Sequence, residues 1–289
     1  MLLQKCRLDQ TKVLATVLLI LFIIILTYNI CTCNFRIHAD NESEVFILMY
    51  HNIIGDRERA NKYEIRESKL EEDLKTIRRL GLEVVTPAQI IAYQQGKAVL
   101  PRRSVMLTFD DGYYSYITRL LPLLKKYNMR AVVNVVGEYT KYNKNKKDLS
   151  PRYTYLDYDD MAILANSGYV EIGLHSYNYH HIGKNNGASR RKGESVDDYR
   201  SRLTADTNKL KSALLDKGIV SNVYAYPYGA YSRSSDSILR DCGIKMTLSC
   251  SEGVNRVTKS SNLYLMRRYN RSGLGGRLQD EFAFFREGK

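Results

Sequence analysis

The sequence predicts a parallel α/β domain carried behind an N-terminal transmembrane helix. Three observations lead there. Short apolar runs alternate with stretches of helical period from residue 45 to residue 268. About seven of these runs are strand candidates, near the eight of a barrel. Residues 13–35 contain no charged side chain, and the run from Val13 to Leu26 is almost purely aliphatic.

That apolar run, extended to Cys33, approaches the roughly 20 residues that cross a bilayer. Lys5, Arg7 and Lys12 precede it, whereas Asp40, Glu42 and Glu44 follow it. The positive-inside rule then leaves residues 1–12 as a cytosolic basic tail, 13–33 as a signal-anchor, 34–44 as a linker, and 45–289 as an extracellular domain. A cleaved signal peptide, releasing a secreted protein, is the rival. The stretch from Thr27 to Cys33 lacks the small residues of a cleavage site, which favours the anchor.

The exported elements follow in order. Val45–Tyr50 reads as a buried strand. Ser68-Lys-Leu-Glu71 has the form of a capping box opening a helix to Leu80, with Gly81 at its end. Thr86-Pro87 opens a second helix. Ser104–Phe109 is a strand, Ile117–Tyr127 a helix and Ala131–Val136 a strand. After a Lys- and Asn-rich loop at 141–147 come a helix near Asp157–Ser167 and the strand Val170–Leu174. A polar loop at 183–193 leads to a long helix, Ser195–Lys217. Strands at Val223–Tyr226, Ile244–Leu248 and Leu263–Arg268, with a helix at Ser234–Asp241, complete the pattern. A doubly wound open sheet is the alternative, weakened by the lack of a glycine-rich phosphate loop.

Composition excludes several classes. With 44% hydrophobic residues, 26% charged residues and 5 Pro, the chain is neither disordered nor collagen-like. Five Cys in 289 residues do not make a disulfide scaffold, and only Cys242 and Cys250 lie in the exported part, where two buried thiols are expected over one bridge. The net charge of +13 suits nucleic acid, an anionic membrane or an anionic wall polymer. No nucleic-acid-binding motif supports the first, and none is expected as a partner.

In parallel α/β folds, functional groups gather at the C-terminal ends of strands. Here those ends carry His51, then Asp110-Asp111-Gly112, then His175 with His180 and His181, then Pro227-Tyr228-Gly229. One Asp and two His form a ligand set for a divalent metal, zinc being the natural occupant. A second Asp can act as base on the attacking water, and a His from another strand as acid. HExxH is absent. The residues therefore read as a metal-assisted hydrolase.

Thr108-Phe-Asp-Asp-Gly112, His175-Ser-x-x-x-His180 and Tyr226-Pro-Tyr-Gly229, in this order, resemble the polysaccharide deacetylases of carbohydrate esterase family 4, with the NodB-type homology domain. The resemblance runs from about Val45 to Arg268. It implies a distorted (β/α) barrel and metal-dependent removal of acetyl groups from sugar polymers. It also implies Asp111, His175 and His180 as metal ligands and Asp110 as base. The metal is expected to be Zn, with Co or Ni able to substitute. Tyr228, in the turn after a strand end, offers its backbone N–H to a developing oxyanion.

Two departures from the commonest pattern agree with each other. The second histidine stands five positions after His175, not four, because Tyr179 occupies the fourth. No histidine follows His181, so the late acid of many members is missing. Both features resemble the poly-β-1,6-N-acetylglucosamine deacetylases, in which a Tyr-His pair after the first strand supplies the acid, here Tyr50-His51. His181 rivals His180 as ligand. The usual arginine before the third motif's proline is also missing, and Arg267 or Arg268 is expected to replace it.

Tyr113, Tyr177, Tyr226 and Pro227 are the expected sugar contacts, since Tyr offers flat amphipathic faces. The expected activity is removal of N-acetyl groups from an extracellular or cell-wall polymer containing N-acetylglucosamine. Acetyl-ester hydrolysis on xylan-like polymers and a non-catalytic glycan-binding relative are the alternatives.

Overall fold

A computed structural model describes residues 14, 16–24, 42–143, 150–181 and 187–286. The chain divides into two units, Met1–Asn41 and Glu42–Lys289. In the first unit the described residues, 14 and 16–24, are helical. Among the described residues no helix is long and apolar enough to cross a membrane. The basic tail, the rest of the expected span 13–33 and residues 34–41 lie outside the described residues.

The second unit is built on a curled sheet. Its strands are β1 (Ser43–Tyr50), β4 (Glu83–Val84), β5 (Arg103–Phe109), β6 (Ala131–Val135), β7 (Val170–Leu174), β8 (Val223–Ala225), β9 (Met246–Leu248), β10 (Asn255–Val257) and β11 (Tyr269–Asn270). The path runs β10-β1-β5-β6-β7-β8-β9, with β4 beside β5 and β11 beside β1. All neighbours are parallel except β10 and β1. The chain before β11 links the two edges of the curl, because Met266 bridges Leu248 of β9 while Tyr269 and Asn270 pair with Leu48 and Met49 of β1. The barrel expectation therefore holds as a curled sheet, seven strands along its main path. A second, two-stranded sheet, β2 (Asn52–Ile54) with β3 (Glu64–Arg66), was not foreseen.

Alternation along the strands sorts the core into two layers. Phe46, Leu48, Tyr50, Val105, Leu107, Phe109, Val133 and Leu174 join one large cluster with helix residues such as Leu70, Leu74, Leu124, Leu164, Leu203 and Leu210. Val45, Ile47, Met106, Val132, Ala225, Met246 and Leu248 face the other way and pack with Ile90, Ile91 and Tyr93. The second set fills the concave face, so polar residues at the same parity further along each strand point into its mouth.

The helices are α1 (Glu67–Arg79), α2 (Pro87–Gln94), α3 (Leu121–Tyr127), α4 (Tyr158–Asn166), α5 (Val196–Leu215), α6 (Ser235–Asp241) and α7 (Leu278–Glu281). Capping boxes form at Thr86 and at Asp157. The expected box at Ser68 does not: α1 already starts at Glu67, and the Ser68 N–H is taken by Asp56 Oδ1 at 2.9 Å. The expected helix 117–127 is split into a π-helical turn, Tyr116–Leu120, and α3, because Pro122 has no N–H to continue the ladder. The expected last strand at 263–268 shrinks to one bridge, since Leu265 adopts a left-handed φ of 61° and interrupts the extended run.

Candidate active site

Register brings the strand ends together. Tyr50 pairs with Phe109, so His51 and Asp110 leave neighbouring strands side by side. The Asp110 N–H donates to the Tyr50 carbonyl at 2.9 Å. The chain then turns sharply at Asp111, whose φ is 78°. Ser176 and Tyr228 adopt φ values of 69° and 57° at the other two strand ends. Left-handed backbone at non-glycine residues is uncommon and is tolerated where surrounding contacts hold it.

Asp111, His175 and His180 each present a ligand atom within 4.8 Å of the others. His180 Nε2 lies 3.1 Å and His175 Nε2 3.6 Å from Asp111 Oδ1. That oxygen is buried and accepts no hydrogen bond. His175 Nδ1 donates to the Ala225 carbonyl at 2.8 Å, so the Nε2 lone pair faces inward. The Tyr139 hydroxyl sits 2.7 Å from His180 Nδ1 and 2.9 Å from the His180 carbonyl. Its single proton satisfies the carbonyl, its lone pair takes the Nδ1 proton, and His180 Nε2 is left free. Burial pushes the His175 imidazole down to about 4, against the pull of Asp110, and keeps it neutral at neutral pH. Burial also disfavours charge on His180, but the Asp111 carboxylate beside it outweighs this and raises its pKa.

Asp110 is held differently. Arg268 Nη1 at 2.9 Å and Asn134 Nδ2 at 2.7 Å both donate to its Oδ1. Burial alone would raise this carboxyl; the Arg268 charge, then that of His175, overcomes it and holds Asp110 well below the usual carboxylate range. Arg268 is 0% exposed and also donates to the Ser249 carbonyl and Thr108 Oγ1. Asn134 approaches Asp110 across Gly173, where an added Cβ would stand 2.1 Å from Asn134 Oδ1. Only glycine leaves that space.

The cavity over these groups has a volume of about 630 Å³ and is lined by Met49, His51, Asp110, Asp111, His175 and His180 together with Tyr113, Tyr226 and Tyr228. Lys62, Tyr63, Cys250, Glu252 and Asn270 complete its wall. The His51 ring stands edge-on to Tyr63 at 4.9 Å, and Tyr228 stacks on His180 at 4.6 Å.

The comparisons with known proteins bear on this arrangement. A family model described as polysaccharide deacetylase matches residues 97–247, more than half of the chain. The chain belongs to the polysaccharide deacetylase family. It is 25% identical over 236 residues to the poly-beta-1,6-N-acetyl-D-glucosamine N-deacetylase of Escherichia coli (strain K12), covering 75% of this chain and 35% of that one. It thus spans about a third of that relative's length. The protein of the same name from Staphylococcus aureus (strain NCTC 8325 / PS 47) is 24% identical over 247 residues, 78% of each chain. Among solved structures, the deacetylase domain of BpsB from Bordetella bronchiseptica is 28% identical, with a TM-score of 0.62 over 77% of this chain and 94% of that one. IcaB from Ammonifex degensii, at 22% identity and TM-score 0.62, covers 78% of this chain and 91% of its own, and shares the fold.

Within this member of the family, the tertiary structure sorts the expected residues. His181 is 53% exposed on its side chain and turns to Asn178 Oδ1 at 2.6 Å and Glu138 at 3.4 Å, away from Asp111. Arg268, not Arg267, reaches Asp110. Tyr177 does not line the cavity: its ring packs on Gly137, with Lys209 Nζ 3.9 Å from the ring centre. Pro227 is buried and also lies off the cavity wall. Tyr226 reaches the wall, but its hydroxyl is committed to Asp236 Oδ1 at 2.7 Å. Cys242 and Cys250 are both free, and Cys250 is exposed on the wall, not buried.

Sequence reading missed Asn134, Tyr139, Lys62 and Asn270. Asn134 had a signal: it interrupts the apolar run Ala131-Val-Val-Asn-Val135 at a core position. The other three sit in loops or short elements whose course the pattern does not define.

Proposed function

We propose that this chain removes N-acetyl groups from a polymer of N-acetylglucosamine like that named for its relatives, with the domain from residue 45 onward outside the cell. The observation that carries the reading is the pairing of two differently held carboxylates on one cavity. Asp111 offers an unbonded buried oxygen beside two imidazole nitrogens. Asp110, next in sequence, is anchored through Oδ1 by Arg268 and Asn134.

The donor set fits a divalent cation, Zn²⁺ with Co²⁺ or Ni²⁺ as substitutes. Both imidazoles direct Nε2 at Asp111, and each Nδ1 has its own partner. A cation held by Asp111, His175 and His180 supplies Lewis acidity to the acetyl carbonyl and the attacking water.

This chain's residues do the rest. Asp110, ionised at neutral pH, takes a proton from the water as oxygen bonds to the acetyl carbon. The Tyr228 backbone N–H, in its left-handed turn, donates to the carbonyl oxygen as charge builds there. His51 gives a proton to the nitrogen as the C–N bond breaks, and acetate and a free amine leave. Tyr63 and Tyr113, with Tyr226 and Tyr228, give the wall the aromatic faces that a sugar ring meets.

Acetate release from acetylated polymers, with Zn²⁺ or Co²⁺ added after chelation, tests the activity. Release from poly-β-1,6-N-acetylglucosamine above that from peptidoglycan, chitin oligomers and acetylated xylan is the expected order. Preferred release from xylan would replace the amidase reading with an esterase one. For location, residues 13–33 are proposed as an uncleaved anchor; the intact chain should fractionate with membranes and be digestible from outside. A mature N-terminus near residue 34 in the medium would show a cleaved signal instead.

A further inference from the structure

His175 and His180 are separated by Ser176-Tyr177-Asn178-Tyr179. No regular conformation aims both rings at one point over that step. In a strand, residues five apart face opposite sides. In a helix they are about 140° apart around the axis. The spacer is therefore a turn, and its shape depends on what holds it.

The holding group is on α5. Asp206 Oδ2 accepts the Tyr177 N–H and Oδ1 the Asn178 N–H, each at 2.8 Å. Asp206 is 8% exposed, and among the described residues no lysine or arginine forms an ion pair with it. A buried carboxylate without an ion-pair partner is costly in a helix interior. Its neighbours on the same helix face grip the flanks. The Arg202 guanidinium lies 4.9 Å from the Tyr179 ring centre, the Tyr179 hydroxyl donates to the Arg202 carbonyl at 2.9 Å, and Lys209 covers Tyr177. Inside the turn, the Tyr179 N–H donates to Ser176 Oγ at 3.0 Å.

We propose that Asp206 is a positioning residue: by binding both N–H groups of the spacer it sets the approach of His180 to Asp111. The inference rests on the reading of Asp111, His175 and His180 as metal ligands.

The test uses the full chain stripped of metal by chelation and titrated with Co²⁺. Affinity is read by calorimetry and ligand geometry by visible absorption, and the thermal midpoint of the metal-free protein is followed in parallel. Asp206→Ala should weaken Co²⁺ binding about tenfold or more, the scale of outer-shell effects, and alter the absorption bands. Asp206→Asn, with one carbonyl for two N–H donors, should fall between and serves if the alanine variant does not fold. Wild-type affinity and bands in the folded variant, with only a lower midpoint, would reduce Asp206 to a structural residue and overturn the proposal. Equal Co²⁺ binding by wild type and Asp111→Asn would show that the ligand set itself is wrong, removing the inference along with its premise.

Discussion

Arg268 Nη1 stands 2.9 Å from Asp110 Oδ1, the same oxygen that Asn134 holds at 2.7 Å. Two donors on one oxygen fix the carboxylate plane, and among the described residues Oδ2 accepts no hydrogen bond. The Asp110 carboxylate is thereby oriented as well as kept ionised.

Asp110→Asn should abolish acetate release while leaving metal affinity unchanged. Asn134→Ala should lower kcat by about 10-fold to 100-fold, because one of the two donors that orient the carboxylate is gone. Steady-state kinetics at about pH 7 read both effects. An unchanged kcat in Asn134→Ala would leave that residue a packing role only.

Metal binding should require Asp111, His175 and His180 separately, and His181→Ala should retain it. Affinity should fall with acidity, since neutral imidazole and ionised carboxylate are the ligating forms. Calorimetric titration of each variant checks the set; loss of binding in His181→Ala would reassign the third ligand.

His51→Ala should depress amide hydrolysis far more than hydrolysis of an activated acetyl ester. An amine leaves poorly unless protonated, whereas an activated alkoxide needs no acid. Comparing kcat/KM on the two substrate types decides it, equal losses pointing to a structural role.

Burial pushes the Asp206 carboxyl up to about 6, against the two backbone N–H groups that lower it. The folded protein therefore holds this proton where the unfolded chain, with a pKa of about 3.9, has released it. The stability this group contributes is present below about pH 4 and lost as pH rises through about 6. Relative to Asp206→Asn, the wild type should lose about 2 kcal/mol between pH 4 and pH 7. Parallel denaturant-derived stability curves over that range would contradict this.

The C-terminal segment offers a stability test remote from the site. Arg271, 0% exposed on its side chain, makes bonds of 2.8 Å through Nε and Nη2 to the two oxygens of Asp73 on α1. The Tyr50 hydroxyl adds a third donor to Asp73 at 3.0 Å. Arg271→Met should cost about 3–5 kcal/mol, because it leaves Asp73 buried and unpaired. Adding Asp73→Leu should restore much of that loss, as thermal unfolding of the single and double variants would show.

The sequence by itself determined where the strands end and which chemical groups stand there. Apolar runs of strand length stop at Tyr50, Phe109 and Leu174, and a parallel sheet must bring those ends to one rim whatever its exact curl. Hence Asp110, Asp111, His51 and His175 were legible without coordinates. The choice between adjacent candidates was not. Arg267 and Arg268 differ by one position, and neighbours in an extended segment face opposite sides, so only the register of residues 266–270 between β9 and β1 decided which guanidinium enters the core. His180 and His181 lie in a turn with no period at all. Their directions were decided by Asp206 and Tyr139, which stand 26 residues after and 41 residues before His180 and meet the turn only in three dimensions. Tyr177 was misread for the same reason: its place beside a site motif says nothing of its side chain, which the missing side chain of Gly137 draws into the core.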